Sequence, residues 1–218
     1  MKTKPTSKQT GFTLVEIAIV LVIIGLLIGG VLKGQELIDS AKVKNLAQDF
    51  RNIQTTLYAY QDKFRALPGD DGRAPSHVCP SSAPGCVSPG DASGTIDGDW
   101  DAPATAAAES IYFWQHVRFA NLITGPTDTT DSHFLPSNSI GGRIGIQSGG
   151  TTAPLGVPGS YAVCSASIPG KLIRQLDNTL DDGDPSTGSM RAGITTAGPA
   201  IDIANLDDSA VYVACLGF

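Results

Sequence analysis

The stretch "KQTGFTLVEIAIVLVIIGLLIGGVLKG", Lys8 to Gly34, decides the architecture. From Phe12 to Leu32 it runs for 21 residues with a single charge, Glu16. At about 1.5 Å per residue, a helix of that length just crosses a hydrocarbon core of roughly 30 Å. A cleaved secretory signal would have a shorter apolar region and a small-x-small exit. This run is longer, carries an acid and passes into further helical pattern. A plain signal-anchor accounts for the length but not for Glu16, since an unpaired acid in lipid costs on the order of 2.5–3.5 kcal/mol. Lys2, Lys4 and Lys8 precede the span with no acid among them. Lys-rich flanks stay in the cytoplasm, so the body of the chain is expected across the membrane. Within the span, Gly25 and Gly29 form a small-xxx-small step that lets helices approach closely.

Beyond the span the pattern becomes amphipathic. Leu46, Phe50, Ile53, Leu57, Tyr60 and Phe64 recur at spacings of four and three, which is one face of a helix. Lys42, Lys44, Asp49, Arg51, Gln54 and Asp62 fall mostly off that face. A helix continuous from Phe12 to Ala66 would be about 80 Å long. Pro68 and Gly69 end it. Its apolar face needs a cover, most simply the remainder of the same chain.

Residues 67–218 change character, with loops rich in Gly, Pro, Ser, Thr and Asp between short apolar runs. A helix is expected in 109–125, ended by Gly125-Pro126, and a short one in 170–180. Strands are expected at 141–147, 159–167 and 209–217. The fold class is therefore α+β, with an antiparallel sheet covering the amphipathic helix.

All four cysteines follow the apolar run. An even count in an exported segment reads as disulfides, with three possible pairings. Cys79 and Cys86 enclose a short turn, and Cys164 and Cys215 each sit in a strand-like run, so the sequence favours those two pairs. Free buried thiols are the alternative. A zinc site on His77, Cys79 and Cys86 lacks Cys-x-x-Cys spacing and a fourth ligand.

Two acidic clusters are calcium candidates. Asp97, Asp99 and Asp101 have the first three spacings of an EF-hand loop, but Ala102 and Ala108 stand where its Gly and Glu belong, and Glu109 comes one residue late. Asp181, Asp182 and Asp184 surround a Gly turn. Solvent-facing turns use the same residues. The formal net charge of −6 argues against a general nucleic-acid binder. The chain contains no phosphate loop, no GxSxG elbow and no HExxH. His77, His116 and His133 are scattered, and no local motif pairs a nucleophile with a base. A non-enzymatic protein is expected, with no required cofactor.

"GFTLVE", Gly11–Glu16, resembles the processing site of the type IV pilin-like superfamily, which includes type IV pilins and the pseudopilins of type II secretion. The resemblance implies cleavage by a membrane prepilin peptidase between Gly11 and Phe12, with methylation of the new terminus at Phe12. It implies that Glu16, fifth in the mature chain, serves assembly. Glu16 lies one helical turn from Phe12, so it can meet the Phe12 amine of its own subunit or a neighbour's. The implied divisions are a leader at 1–11, a transmembrane helix at 12–33, an amphipathic helix at 34–66 and a periplasmic or extracellular head at 67–218. The implied partners are other copies or related pilins, the peptidase/methyltransferase, and an inner-membrane assembly platform driven by a separate ATPase. The implied location is the bacterial inner membrane as a single pass, then a surface or periplasmic filament. Many relatives carry a helix-bending Pro that this chain lacks; Lys33 ends its span. The segments "LPGDD" (67–71), "WQHVRFANLITG" (114–125) and "LDDGDPSTGSMRAG" (180–193) also resemble a group of prepilin-type proteins. A membrane-anchored periplasmic enzyme or binding module with a borrowed anchor is the competing reading.

Overall fold

The computed structural model describes residues 13–79 and 86–218. The first element is a single helix, α1, over Leu14–Phe64. It stops two residues before the expected Ala66, where Arg65 takes a left-handed backbone (φ 55°) and its amide returns to the Gln61 carbonyl at 2.8 Å. The chain divides into two compact units, one ending at Ser40 and the other beginning at Ala41.

In the first unit, the large apolar side chains from Leu14 to Leu32 are all exposed. This part of α1 is long and apolar enough to cross a membrane. Burying it in lipid removes that apolar surface from water at roughly 25 cal/mol per Å². Lys33 then pairs with Glu36 at 2.8 Å, one turn on.

In the second unit, α1 buries Leu46, Phe50, Ile53, Leu57 and Tyr60 of the stripe that the sequence spacing marks, with Val43 and Ala47 beside them, while Phe64 is partly buried. The stripe shares one core with Phe113, Phe134, Ile146, Val163, Leu172 and Leu216. Three shorter helices follow, α2 (Ala74–Val78), α3 (Glu109–Phe119) and α4 (Gly170–Leu180). Four strands, β1 (Ile144–Ser148), β2 (Tyr161–Pro169), β3 (Met190–Gly193) and β4 (Val211–Gly217), pair antiparallel in the order β1-β2-β4-β3. The α+β architecture matches the expectation, and α4 has the expected bounds. The strand β3 and the five-residue α2 have no counterpart in the sequence reading.

Helix α3 is shorter than its pattern suggests. Asn121 adopts φ 57°, its amide reaches the Arg118 carbonyl, and the Leu122 amide reaches the Val117 carbonyl. That is a Schellman ending with Asn in the left-handed position, and it comes before Gly125-Pro126 can act.

Both faces of the sheet are covered, which is why β2 reads as a nearly unbroken apolar run. Val163 faces the main core, while Ala162 and Cys164 join Trp100, Leu155, Val157 and Cys215 in a smaller cluster. Cys164 and Cys215 sit directly opposite in the β2–β4 register and are disulfide-bonded, with Cα atoms 4.0 Å apart. Cys79 and Cys86 form the second disulfide. No described cysteine is free.

Candidate functional site at the start of the long helix

Gly11 and Phe12, where cleavage and methylation are expected, lie outside the described residues. The description begins at Thr13, and there a structured helix start is found. The Glu16 carboxylate accepts from the Thr13 amide at 2.8 Å and from the Thr13 hydroxyl at 2.7 Å. The Glu16 amide returns to the Thr13 hydroxyl at 3.3 Å. This reciprocal pair is a capping box, and it satisfies donors that a helix N-terminus leaves open. The Thr-x-x-Glu spacing in "TLVE" was the signal for it, and reading Glu16 only against the Phe12 amine misses it. Both side-chain bonds fall on Oε2. Oε1 accepts none from the described residues.

The polar residues of "LPGDD" and "WQHVRFANLITG" make structural hydrogen bonds. Gly69 of "LPGDD" donates its amide to His116 Nδ1 at 3.0 Å, and His116 Nε2 lies 2.7 Å from the Ser88 carbonyl. These partners fix His116 as the neutral Nε2–H tautomer. Burial holds its pKa below the usual histidine value. Arg118 donates to the carbonyls of Pro126 and Phe134, both at 2.7 Å, and Gln115 to that of Thr127 at 3.1 Å. Buried side chains of α3 thus satisfy the carbonyls of loops that lack secondary structure. Asp70 accepts the amides of Ser93 and Gly94, each at 2.8 Å. Glu109, the residue one late for an EF-hand, accepts the amides of Asp91 and Asp97, each at 3.0 Å. Burial raises the pKa of Asp70 and of Glu109.

The structure does not bring Asp97, Asp99 and Asp101 together as ligands of one ion. Among the described residues the acidic groups that converge are Asp70 with Asp91 and Glu109, and Asp177 with Asp181 and Asp182. The second group contains two of the three expected residues, with Asp177 from α4 in place of Asp184. Asp184 instead accepts from the amide and hydroxyl of Ser186. His77 pairs with Asp71 at 2.6 Å rather than joining a cysteine site, and Cys79 and Cys86 are consumed by their disulfide.

The head also has an open groove of about 490 Å³ beside Trp100, Gln147 and Thr196. No Ser, Cys, His or Lys is among the described residues lining it. The enzyme reading therefore finds no histidine- or cysteine-based nucleophile there.

Taken together, a helix able to cross a membrane runs on into an α+β head, and its start is capped by an acid. Residues 6–32 match the family model of the prokaryotic N-terminal methylation motif. That motif is the signature of prepilin-type proteins, the type IV pilins and pseudopilins, and it implies processing by a prepilin peptidase and polymerisation into filaments. No curated protein matches the chain significantly.

Proposed function

We propose that the chain is a structural subunit of a type IV pilus or a type II secretion pseudopilus. It is cleaved after Gly11, methylated at Phe12, held in the inner membrane by the first half of α1, and polymerised through that helix with its head outside the cytoplasm. The observation that carries this reading is the division of labour within α1. The motif-bearing end leaves every large apolar residue from Leu14 to Leu32 exposed, whereas from Val43 onward one face is buried in the head's core. A helix that served only as an anchor would not need to be built into the core of the domain it anchors. Exposed apolar surface on this scale needs either lipid or neighbouring helices, and polymerisation exchanges the first for the second.

Glu16 supports the assembly step. The amine of a neighbouring Phe12 would pair it, and the cost of an acid in hydrocarbon favours the subunit arrangement that does so. The acidic head is a poor direct ligand for nucleic acid. Co-expression with a prepilin peptidase tests the reading. The expected results are loss of residues 1–11, a methyl group on Phe12 by mass spectrometry, and filaments by electron microscopy when the assembly platform and its ATPase are supplied. A chain that is never cleaved, or is cleaved but stays monomeric with its platform present, overturns it.

A further inference from the structure

Helix α4 carries an ionisable group that nothing in the fold explains. Asp177 is on its buried face, fully covered, and neither carboxylate oxygen has a hydrogen-bond partner. Buried carboxylates are ordinarily paired or hydrogen-bonded, because leaving one bare costs several kcal/mol. The charges that bear on Asp177 make matters worse, since they are those of Asp182, Asp181 and Asp184, all negative. The amide of Gly183 helps its charged form without closing a hydrogen bond.

The surroundings hold this arrangement deliberately. The Asp181 amide caps α4 on the Asp177 carbonyl at 2.7 Å. One oxygen of Asp181, Oδ2, accepts the amides of Ser189 and Met190, which ties the loop's end to its start. Asp182 is fixed by the Asp184 amide at 2.9 Å and by the Thr187 hydroxyl at 3.0 Å. Gly188 passes so close that a Cβ there would strike the Asp181 carboxylate. The result is three carboxylates, each offering an oxygen within 4.8 Å of the other two. Asp181 is half-buried and Asp182 exposed, so the group runs from solvent to the bare, buried Asp177.

We propose that Asp177, Asp181 and Asp182 bind a hard divalent cation, calcium in the first instance. Three anionic oxygens with no nitrogen or sulfur donor select hard cations over zinc or copper. An irregular helix-end loop suits calcium, which accepts flexible oxygen shells, better than magnesium with its strict octahedron. The bound ion supplies the partner that Asp177 lacks, and it pins the α4–β3 loop.

The test uses the full chain in detergent micelles after chelation, with calcium chloride alone as the probe. Calorimetric titration is expected to show one saturable site. Calcium at about a hundredfold its Kd is expected to raise the folding equilibrium about a hundredfold, read as a higher melting temperature than in chelator. Asp177→Asn is expected to abolish both responses while melting in chelator at or above the wild type, because it removes a buried charge. Asp182→Asn, at an exposed position that does not threaten folding, is expected to weaken calcium binding at least tenfold. Asp91→Asn, in the other acidic group, is expected to leave the response unchanged. An absence of saturable heat with no melting shift overturns the proposal. So does a response that survives both Asp177→Asn and Asp182→Asn, or one that is lost only with Asp91→Asn.

Discussion

Tyr60, near the end of the long helix, donates its hydroxyl to Asp71 Oδ2 at 2.8 Å, inside the core. The same oxygen meets His77 Nδ1 at 2.6 Å, and the other oxygen accepts the Arg73 amide at 2.9 Å. The helix is thereby fastened to the first loop that follows it. The ring of Tyr60 also stacks on His116, 6.1 Å away. This cluster joins α1, "LPGDD" and α3 through side chains that a purely apolar account of the core would omit.

Removing one partner of the Tyr60–Asp71 pair should cost less from one side than from the other. Tyr60→Phe removes a hydrogen bond while Asp71 keeps His77 and the Arg73 amide, so a loss of about 0.5–1.5 kcal/mol is expected. Asp71→Ala strands the buried Tyr60 hydroxyl and removes the loop's anchor, and about 2–4 kcal/mol is expected from the two losses together. Denaturant melts of the full chain in micelles, with both variants run side by side, check the order.

The contribution of His116 to stability should fall as pH drops below the neutral range. Its folded-state pKa is lowered by burial, against the opposing pull of the Ser88 carbonyl and the Asp71 charge. The unfolded state takes up a proton at about pH 6.5, while the folded state waits for a lower pH. Between those two values the unfolded state binds more protons, so stability is full above about pH 6.5 and declines on acidification. Asp71, whose pKa is lowered, adds its own loss only in the carboxylate range, below about pH 4. Asp177, whose pKa burial raises to about 7, works in the opposite direction over the same range, so the His116 contribution is read as a difference: the melting temperature of the wild type relative to His116→Gln should fall from pH 8 to pH 5.

The two roles of Glu16, helix cap and assembly charge, can be separated by mutation. Thr13→Ala breaks the capping box at a cost of about 1 kcal/mol but keeps the acid. Glu16→Val removes both. The expected outcome is normal insertion and cleavage in each case, with filament yield near normal for Thr13→Ala and lost for Glu16→Val. Equal loss in the two variants would assign Glu16 to the cap alone.

The two disulfides should contribute unequally. The bridge from Cys164 to Cys215 spans 51 residues and that from Cys79 to Cys86 spans 7. Loop-closure entropy then gives about 4 kcal/mol for the first and about 2.5 kcal/mol for the second. Paired Cys→Ala replacements, compared by thermal unfolding under non-reducing conditions, should lower the melting temperature more for Cys164/Cys215.

Local pattern was enough for much of this protein. The 21-residue apolar run and the four-and-three spacing from Leu46 to Phe64 specify the body of α1 without outside help, because each is a property of consecutive residues, although the helix ends at Phe64, ahead of Pro68 and Gly69. The motif at Gly11–Glu16 is equally local. So are the two cysteine pairs, one closing a short turn and the other in two strand-like runs that can lie side by side. Other features depended on distant contacts. Strand β3 is four residues long and has too little pattern to declare itself; it exists because β4 offers it an edge. The end of α3 was set by a left-handed Asn121 ahead of the obvious Gly-Pro.

The acidic clusters show the division most clearly. Spacing along the chain selected Asp97, Asp99 and Asp101, which are not among the acidic groups that converge in the described residues. Asp177 and Asp181 are four apart at a helix end, a spacing that favours a shared face but that the turn-centred reading of Asp181, Asp182 and Asp184 passes over. What no sequence pattern could reveal is that the core would cover Asp177 and leave it without a donor. Burial is decided by everything that packs against a residue. The chain order alone therefore determined the anchor, the helix and the processing motif, and only the tertiary structure decided which carboxylates meet and which one is left bare.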